Sequence, residues 1–192
     1  PPSAEHLCGT DYLGRDVLSR TLIGGRLSII IGLTSRIASV CFGLAVGLVA
    51  GLSGTLLRRT IDFFIEVFLS IPALLLALAL AMVLSEGSFT IFAAITVGTW
   101  APVARFFSTR VSQLQSAEFI TAAKALGAGK MRIALIHIIP SLFPSLIPIM
   151  STGIATSIML ESTLSFLGLG GAGTLFDLPS WGLLIRRIAR DI

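Results

Sequence analysis

The sequence predicts an all-α membrane protein, a bundle of helices that crosses the bilayer several times. Composition is the first reason: 54% of the 192 residues are hydrophobic, 12% are charged and the mean hydropathy is +0.94, whereas about 25% of a soluble domain is charged. The second is clustering, with four apolar runs at about 27–52, 67–85, 89–107 and 142–160. Each is long enough, or nearly so, for a hydrocarbon core that needs ~20 helical residues. The third is texture. The runs are rich in Leu, Ala, Ile and Gly without the alternation of a barrel strand, and in lipid such backbone satisfies its own hydrogen bonds as helix.

Residues 1–26 precede the first run and contain a candidate helix start, with Asp11 and Asp16 early and Arg20 four residues after Asp16 as a supporting charge pair. Leu18 and Leu22 supply an apolar edge. The chain opens on Pro-Pro-Ser-Ala-Glu-His; this is no signal peptide, and the chain reads as a fragment of a longer protein.

In the first span Ser35, Ser39, Gly43, Gly47 and Gly51 recur at every fourth position. Residues four apart share a helix face, so this stripe predicts close packing against another helix. Arg36 lies about ten residues into the span, and an intramembrane cation is costly unless it faces protein, water or the interface. Three placements fit it: lining a translocation path, snorkelling, or a span that begins later. Pro72 and Pro102 fall within the second and third spans, where each removes a backbone donor and predicts a static kink or a hinge.

Between the third and fourth spans, 117–140 is too polar to cross. Phe119, Ala122, Ala123 and Leu126 cluster at helical spacing, Gly127 and Gly129 mark a turn, a second amphipathic piece runs from Met131 to Ile139, and Pro140 opens the next span. Such a helix-turn-helix with small residues at its bend suits a groove on another protein; it also fits an ordinary interfacial loop. Basic residues do not orient the bundle. Arg58, Arg59, Arg105, Arg110, Lys124, Lys130 and Arg132 fall on one side, and Arg15, Arg20, Arg26, Arg36, Arg186, Arg187 and Arg190 on the other.

Several functions are disfavoured. The net charge of +4 is dispersed between apolar runs, which argues against nucleic acid. Cys8 and Cys41 suggest neither a disulfide framework nor a metal cluster, and His6 and His137 are far apart in sequence, so no metal site is expected. Gly168 to Gly173 fits G-x-G-x-x-G without a βαβ unit, there is no P-loop, and no catalytic constellation stands out. No cofactor and no catalytic residue are expected in this chain.

The 117–140 segment resembles the EAA loop of permeases in ATP-binding-cassette importers, whose pattern is E-A-A, three residues, Gly, nine residues, then I-x-L-P. Thr121-Ala122-Ala123, Gly127 and Pro140 stand at that spacing; Thr121 replaces the acid, His137 the first Ile and Ile139 the Leu. Residues 9–28 resemble the stretch before the second span of permeases in the dipeptide, oligopeptide and nickel group, and 161–170 with Pro179-Ser180-Trp181-Gly182 resemble that group's signature after the fifth span.

The resemblance implies one permease domain over 1–192 of a six-span protein in a bacterial inner membrane, with 1–26 outside and 108–141 as a cytoplasmic coupling loop. Glu118, Thr121, Ala122, Ala123, Gly127 and Pro140 would then serve ATPase coupling, and Glu86 would lie in an outer turn. Glu161, at the outer end of the last span, would touch solute or anchor the following loop. The implied partners are a second homologous permease, two cytoplasmic ATPases that bind ATP and magnesium, an external solute-binding protein and the lipid bilayer. A secondary transporter or channel without an ATPase is the rival reading; it would favour intramembrane acids or a broken-helix ion site, and the spans contain little of either.

Overall fold

A computed structural model of the chain describes residues 2–11, 13–84, 87–170 and 180–190. Its elements are helices in this order: α1 Val17–Leu52, α2 Thr55–Leu69, α3 Ala73–Val83, α4 Ser88–Gln115, α5 Glu118–Ala125, α6 Lys130–Ile133, a π-helical turn Ala134–Ile138, α7 Ile139–Phe166 and α8 Trp181–Arg190. Among the described residues there is no strand, only one isolated bridge between Thr10 and Asp16. Three helices are long and apolar enough to cross a membrane: α1, α4, and the run Lys130–Phe166 that α7 completes. A fourth crossing exists if α2 and α3 form one bent span.

That bent pair corrects the expected second span. Residues 67–85 are not one helix, because the chain breaks between Leu69 and Ala73 and turns through 86°. Pro72 stands at this break. Pro102, by contrast, lies inside an unbroken α4. The helices also outrun the expected apolar runs: α1 begins at Val17 rather than near 27, α4 runs on to Gln115, and helix resumes at Lys130, so much of 108–141 is itself helical. The outer turn assigned to Glu86 falls outside the described residues.

The chain divides into two compact units. The first comprises Pro1–Ser35, Ala77–Ile95 and Ile154–Ile192. Here Asp16 caps α1 by accepting from the Ser19 N–H at 2.7 Å, and its other oxygen faces His6 Nδ1 at 3.2 Å. The expected Asp16–Arg20 pair is therefore absent. Arg20 donates to Asp11 instead, as Arg15 does at 2.9 Å. A residue used as an N-cap has its carboxylate turned onto the helix end, away from the i+4 position.

Burial raises the Asp11 pKa, but hydrogen bonds from the Arg15 backbone and side chain and the Leu13 N–H outweigh it and bring the carboxyl down to about 2. Asp16 is also lowered, chiefly by its bonds from Ser19. In the same unit Trp181 lies over Gly25, its indole N–H donating to the Thr21 carbonyl at 2.9 Å and its backbone N–H to Ser28 Oγ at 3.2 Å. Gly182 is pressed against the Ser162 carbonyl and the Ser165 side chain. The Ser180-Trp181-Gly182 motif thus joins α8 to α1 and α7, which needs a residue without Cβ at 182.

The second unit comprises Arg36–Leu76 and Thr96–Gly153. Its core joins Val40, Val103, Phe107, Val111, Ile120, Ile133, Ile138 and Leu142, with Leu44, Leu48 and Leu52 packed against it. A second cluster places Ile65 beside Trp100, Ala101 and Ala104, with Phe68 edge-on to Trp100 at 5.0 Å between ring centroids. The polar face of α2 pairs with α4, where Arg105 reaches Glu66 at 2.9 Å and Asp62 at 3.5 Å; within α2, Arg58 reaches Asp62 at 3.4 Å. Cys8 and Cys41 are both free thiols.

Candidate coupling site and helix-packing seam

The predicted helix-turn-helix is present in the second unit. Helix α5 has Glu118 in its first turn and Lys124 in its last, charges that complement the helix dipole. It ends in a Schellman motif: the Ala128 N–H donates to the Ala123 carbonyl and the Gly127 N–H to the Lys124 carbonyl, both at 3.0 Å. Gly127 is the left-handed residue this closure requires, at φ +82°. Gly129 then caps α6, and Pro140 follows the π turn inside the continuous helical run Lys130–Phe166, where it removes one backbone donor. The π turn between them carries His137.

The element has two faces. Ile120, Ile133 and Ile138 are buried in the core and Ala128 packs against it, which roots the turn on α4 and the end of α1. The Gln115 side chain reinforces this by donating to the Gly51 carbonyl. The opposite face is exposed: Phe119, Thr121, Ala122, Leu126 at 89% and Met131 at 73%. The apolar cluster read from the sequence is therefore the outward face, and the buried anchor Ile120 was missed. One isoleucine on an eight-residue helix carries too little periodicity to mark the inner side. Ala123 is half-buried, and the Thr121 hydroxyl donates back to the Ala117 carbonyl at 3.3 Å.

The small-residue stripe of α1 packs against α4. Ser35 Oγ approaches the Phe92 carbonyl at 3.5 Å, and Ser39 Oγ lies 3.2 Å from the Thr96 carbonyl and 2.7 Å from Thr99 Oγ1. A methyl group added at Gly43 would meet the Val103 Cβ at 2.7 Å, and one added at Gly51 would meet the Val111 Cβ at 2.5 Å. These are backbone-close approaches, as small residues permit between membrane helices.

Arg36 is 8% exposed, and its terminal nitrogen donates to the Ile149 carbonyl at 2.7 Å while Nε has no partner among the described residues. Its side chain lies across Gly153, where any Cβ would coincide with the guanidinium. The guanidinium thus faces protein within its own unit, one of the surroundings that lower the cost of an intramembrane cation. Gly153→Ala is expected to evict Arg36 and lower stability by about 1–3 kcal/mol, the usual range for overpacking. Thermal unfolding of the purified complex checks this; an unchanged midpoint would mean that the guanidinium has room to move.

Glu161 lies in the first unit and is fully buried, accepting from Ser165 Oγ at 2.7 Å and from Ser162 Oγ at 3.4 Å. Both partners lie on α7 itself. Helix α7 ends just beyond it in a second Schellman closure at Gly168, φ +96°, where the Leu169 N–H donates to the Leu164 carbonyl.

The family model for the inner membrane component of binding-protein-dependent transport systems matches residues 43–189. The oligopeptide transport system permease protein OppC of Bacillus subtilis is 35% identical over 96% of this chain and 59% of its own length. The dipeptide transport system permease protein DppC of the same organism is 36% identical over 96% of this chain and 57% of its own. The chain thus spans about three fifths of the length of these relatives. In fold it is similar to a chain of the MetNI methionine ABC transporter, with a TM-score of 0.72, 19% identity and 90% of each chain covered. The exposed loop, the glycine seam and the apolar helices accordingly belong to an inner membrane component of the binding-protein-dependent transport system family.

Proposed function

We propose that this chain is part of a permease that carries peptides or related small solutes through the inner membrane, driven by ATPases that dock on residues 118–130. The observation that carries the reading is the two-faced loop: Ile120, Ile133 and Ile138 root it while Ala122 and Leu126 stand free for a partner. The names of the curated relatives, oligopeptide and dipeptide permeases, support the solute class.

In this mechanism the chain performs no covalent chemistry. A second homologous permease completes the path, a solute-binding protein delivers cargo from outside, and two cytoplasmic ATPases bind ATP and magnesium. Closure of the ATPases pushes α5, and the rooted face passes that displacement to α4 and α1 through packed side chains. Residues 1–16 are then external and Gly129 cytoplasmic.

Reconstitution of the full-length protein with its partners in liposomes tests the function: peptide uptake should require both ATP and the binding protein. ATP-independent uptake driven by an ion gradient would replace this reading with the secondary-transporter one. Orientation is read separately in whole cells with an impermeant thiol reagent. In a background lacking Cys41, native Cys8 should label, and a cysteine placed at Gly129 in a background lacking both native cysteines should not. The reverse pattern would invert the topology.

A further inference from the structure

Helix α4 buries one face, with Val103, Ala104, Phe107 and Val111, and leaves another open, with Pro102, Phe106, Thr109, Arg110 and Gln113. The open face is graded along the axis. Its inner part is apolar, with Pro102 and Phe106, and its part toward the end at Gln115 is polar and cationic. Arg110 lies about 7.5 Å from that end and Phe106 about 6 Å deeper, at 1.5 Å per residue.

The polar part is a groove of about 450 Å³ between α4 and α7, lined by Arg105, Phe106, Thr109, Arg110, Gln113 and Ser145. Arg105 is already neutralised by Asp62 and Glu66. Arg110 is bonded only to the neutral Gln113 Oε1, at 3.3 Å, and among the described residues no carboxylate pairs with it. The groove therefore offers a cation without a counter-ion, beside two hydroxyl groups and an amide, at the depth of one end of a spanning helix.

We propose that this groove holds the phosphate of an anionic phospholipid, with Arg110 as its counter-ion, Thr109, Gln113 and Ser145 as hydrogen-bond donors, and the acyl chains running along Phe106 and Pro102. The occupant follows from charge and polarity together. Basic pockets between membrane helices attract anionic headgroups, and guanidinium matches phosphate geometry through paired donors. A free anion satisfies the cationic part but leaves the apolar continuation of the same face uncovered.

The test uses the full-length protein assembled with its partners in neutral detergent. Phosphatidylglycerol should raise the melting temperature where phosphatidylcholine does not, and inorganic phosphate alone should leave it unchanged. Arg110→Gln should weaken phosphatidylglycerol binding about fivefold, the effect of one cation near an anionic surface. Arg110→Lys should restore part of it. Arg59→Gln, an equal loss of charge at another exposed site on α2, should leave binding unchanged. Equal protection by both lipids, equal protection by inorganic phosphate, or identical binding by the Arg110→Gln and Arg59→Gln variants would each overturn the assignment.

Discussion

Gly47→Leu is expected to abolish recovery of the assembled permease or to lower its melting temperature by many degrees. The Cβ of any residue at 47 would stand 2.7 Å from the Phe107 Cβ, 2.8 Å from the Ala104 carbonyl oxygen and 3.0 Å from the Ser108 nitrogen. Two of these three neighbours are backbone atoms of α4, so no rotamer change relieves the clash. Relief means pushing α1 away from α4, which opens the contacts at Gly43 and Gly51 and stretches the Ser39 bonds to Thr96 and Thr99. Overpacking commonly costs about 1–3 kcal/mol, and lipid returns none of the lost packing through a hydrophobic term. Gly47→Ala should fall between leucine and wild type. Gly54→Ala, where nothing lies within 4 Å of the added methyl, should cost only the weaker N-cap of α2 and far less than the leucine variant. Full recovery of the leucine variant would place the seam elsewhere.

Ala122→Trp is expected to reduce ATPase retention about tenfold or more, corresponding to roughly 1.4 kcal/mol at the docking surface, with normal insertion and an unaltered melting temperature of the permease. Ala122 is exposed on α5, so a large side chain there projects from the surface and chiefly disturbs a partner that approaches closely. Gly127→Val acts differently. At φ +82° a β-branched residue is strained, at a cost on the order of 1–3 kcal/mol, and the turn is expected to reorganise. This variant should bind ATPases poorly and also lose local protection from hydrogen exchange at Ala128, whose N–H closes the motif. The pair separates a lost surface from a lost turn.

The bundle and the loop were legible because the signals that specify them are local. Apolar run length marks spans, and a small residue every fourth position marks a helix face. A glycine after an amphipathic turn marks a left-handed closure, and Gly127 has that geometry. What was missed depends on contacts distant in sequence. The 86° turn between α2 and α3 was visible only as Pro72, because a hydropathy window sees an unbroken apolar run. The pairing of the α2 carboxylates with Arg105, 39 residues beyond Glu66, leaves no pattern in either segment. The placement of Arg36 stayed open in the sequence for the same reason, since the carbonyl that receives it lies 113 residues away. At Asp16 the error was local. An N-capping role to Ser19 took precedence over the i+4 pair with Arg20, and Asp11 received Arg20 instead.

In the proposed function the exposed face of residues 118–130 touches an ATPase. A photo-reactive amino acid at Leu126, a residue 89% exposed, tests this contact in the full-length protein assembled with its partners in membranes. Irradiation should give an adduct with the mass of permease plus ATPase. The same probe at Leu13, exposed in the segment before α1, should give no ATPase adduct. An adduct from Leu13 but none from Leu126, with the ATPases still co-purifying, would contradict the account.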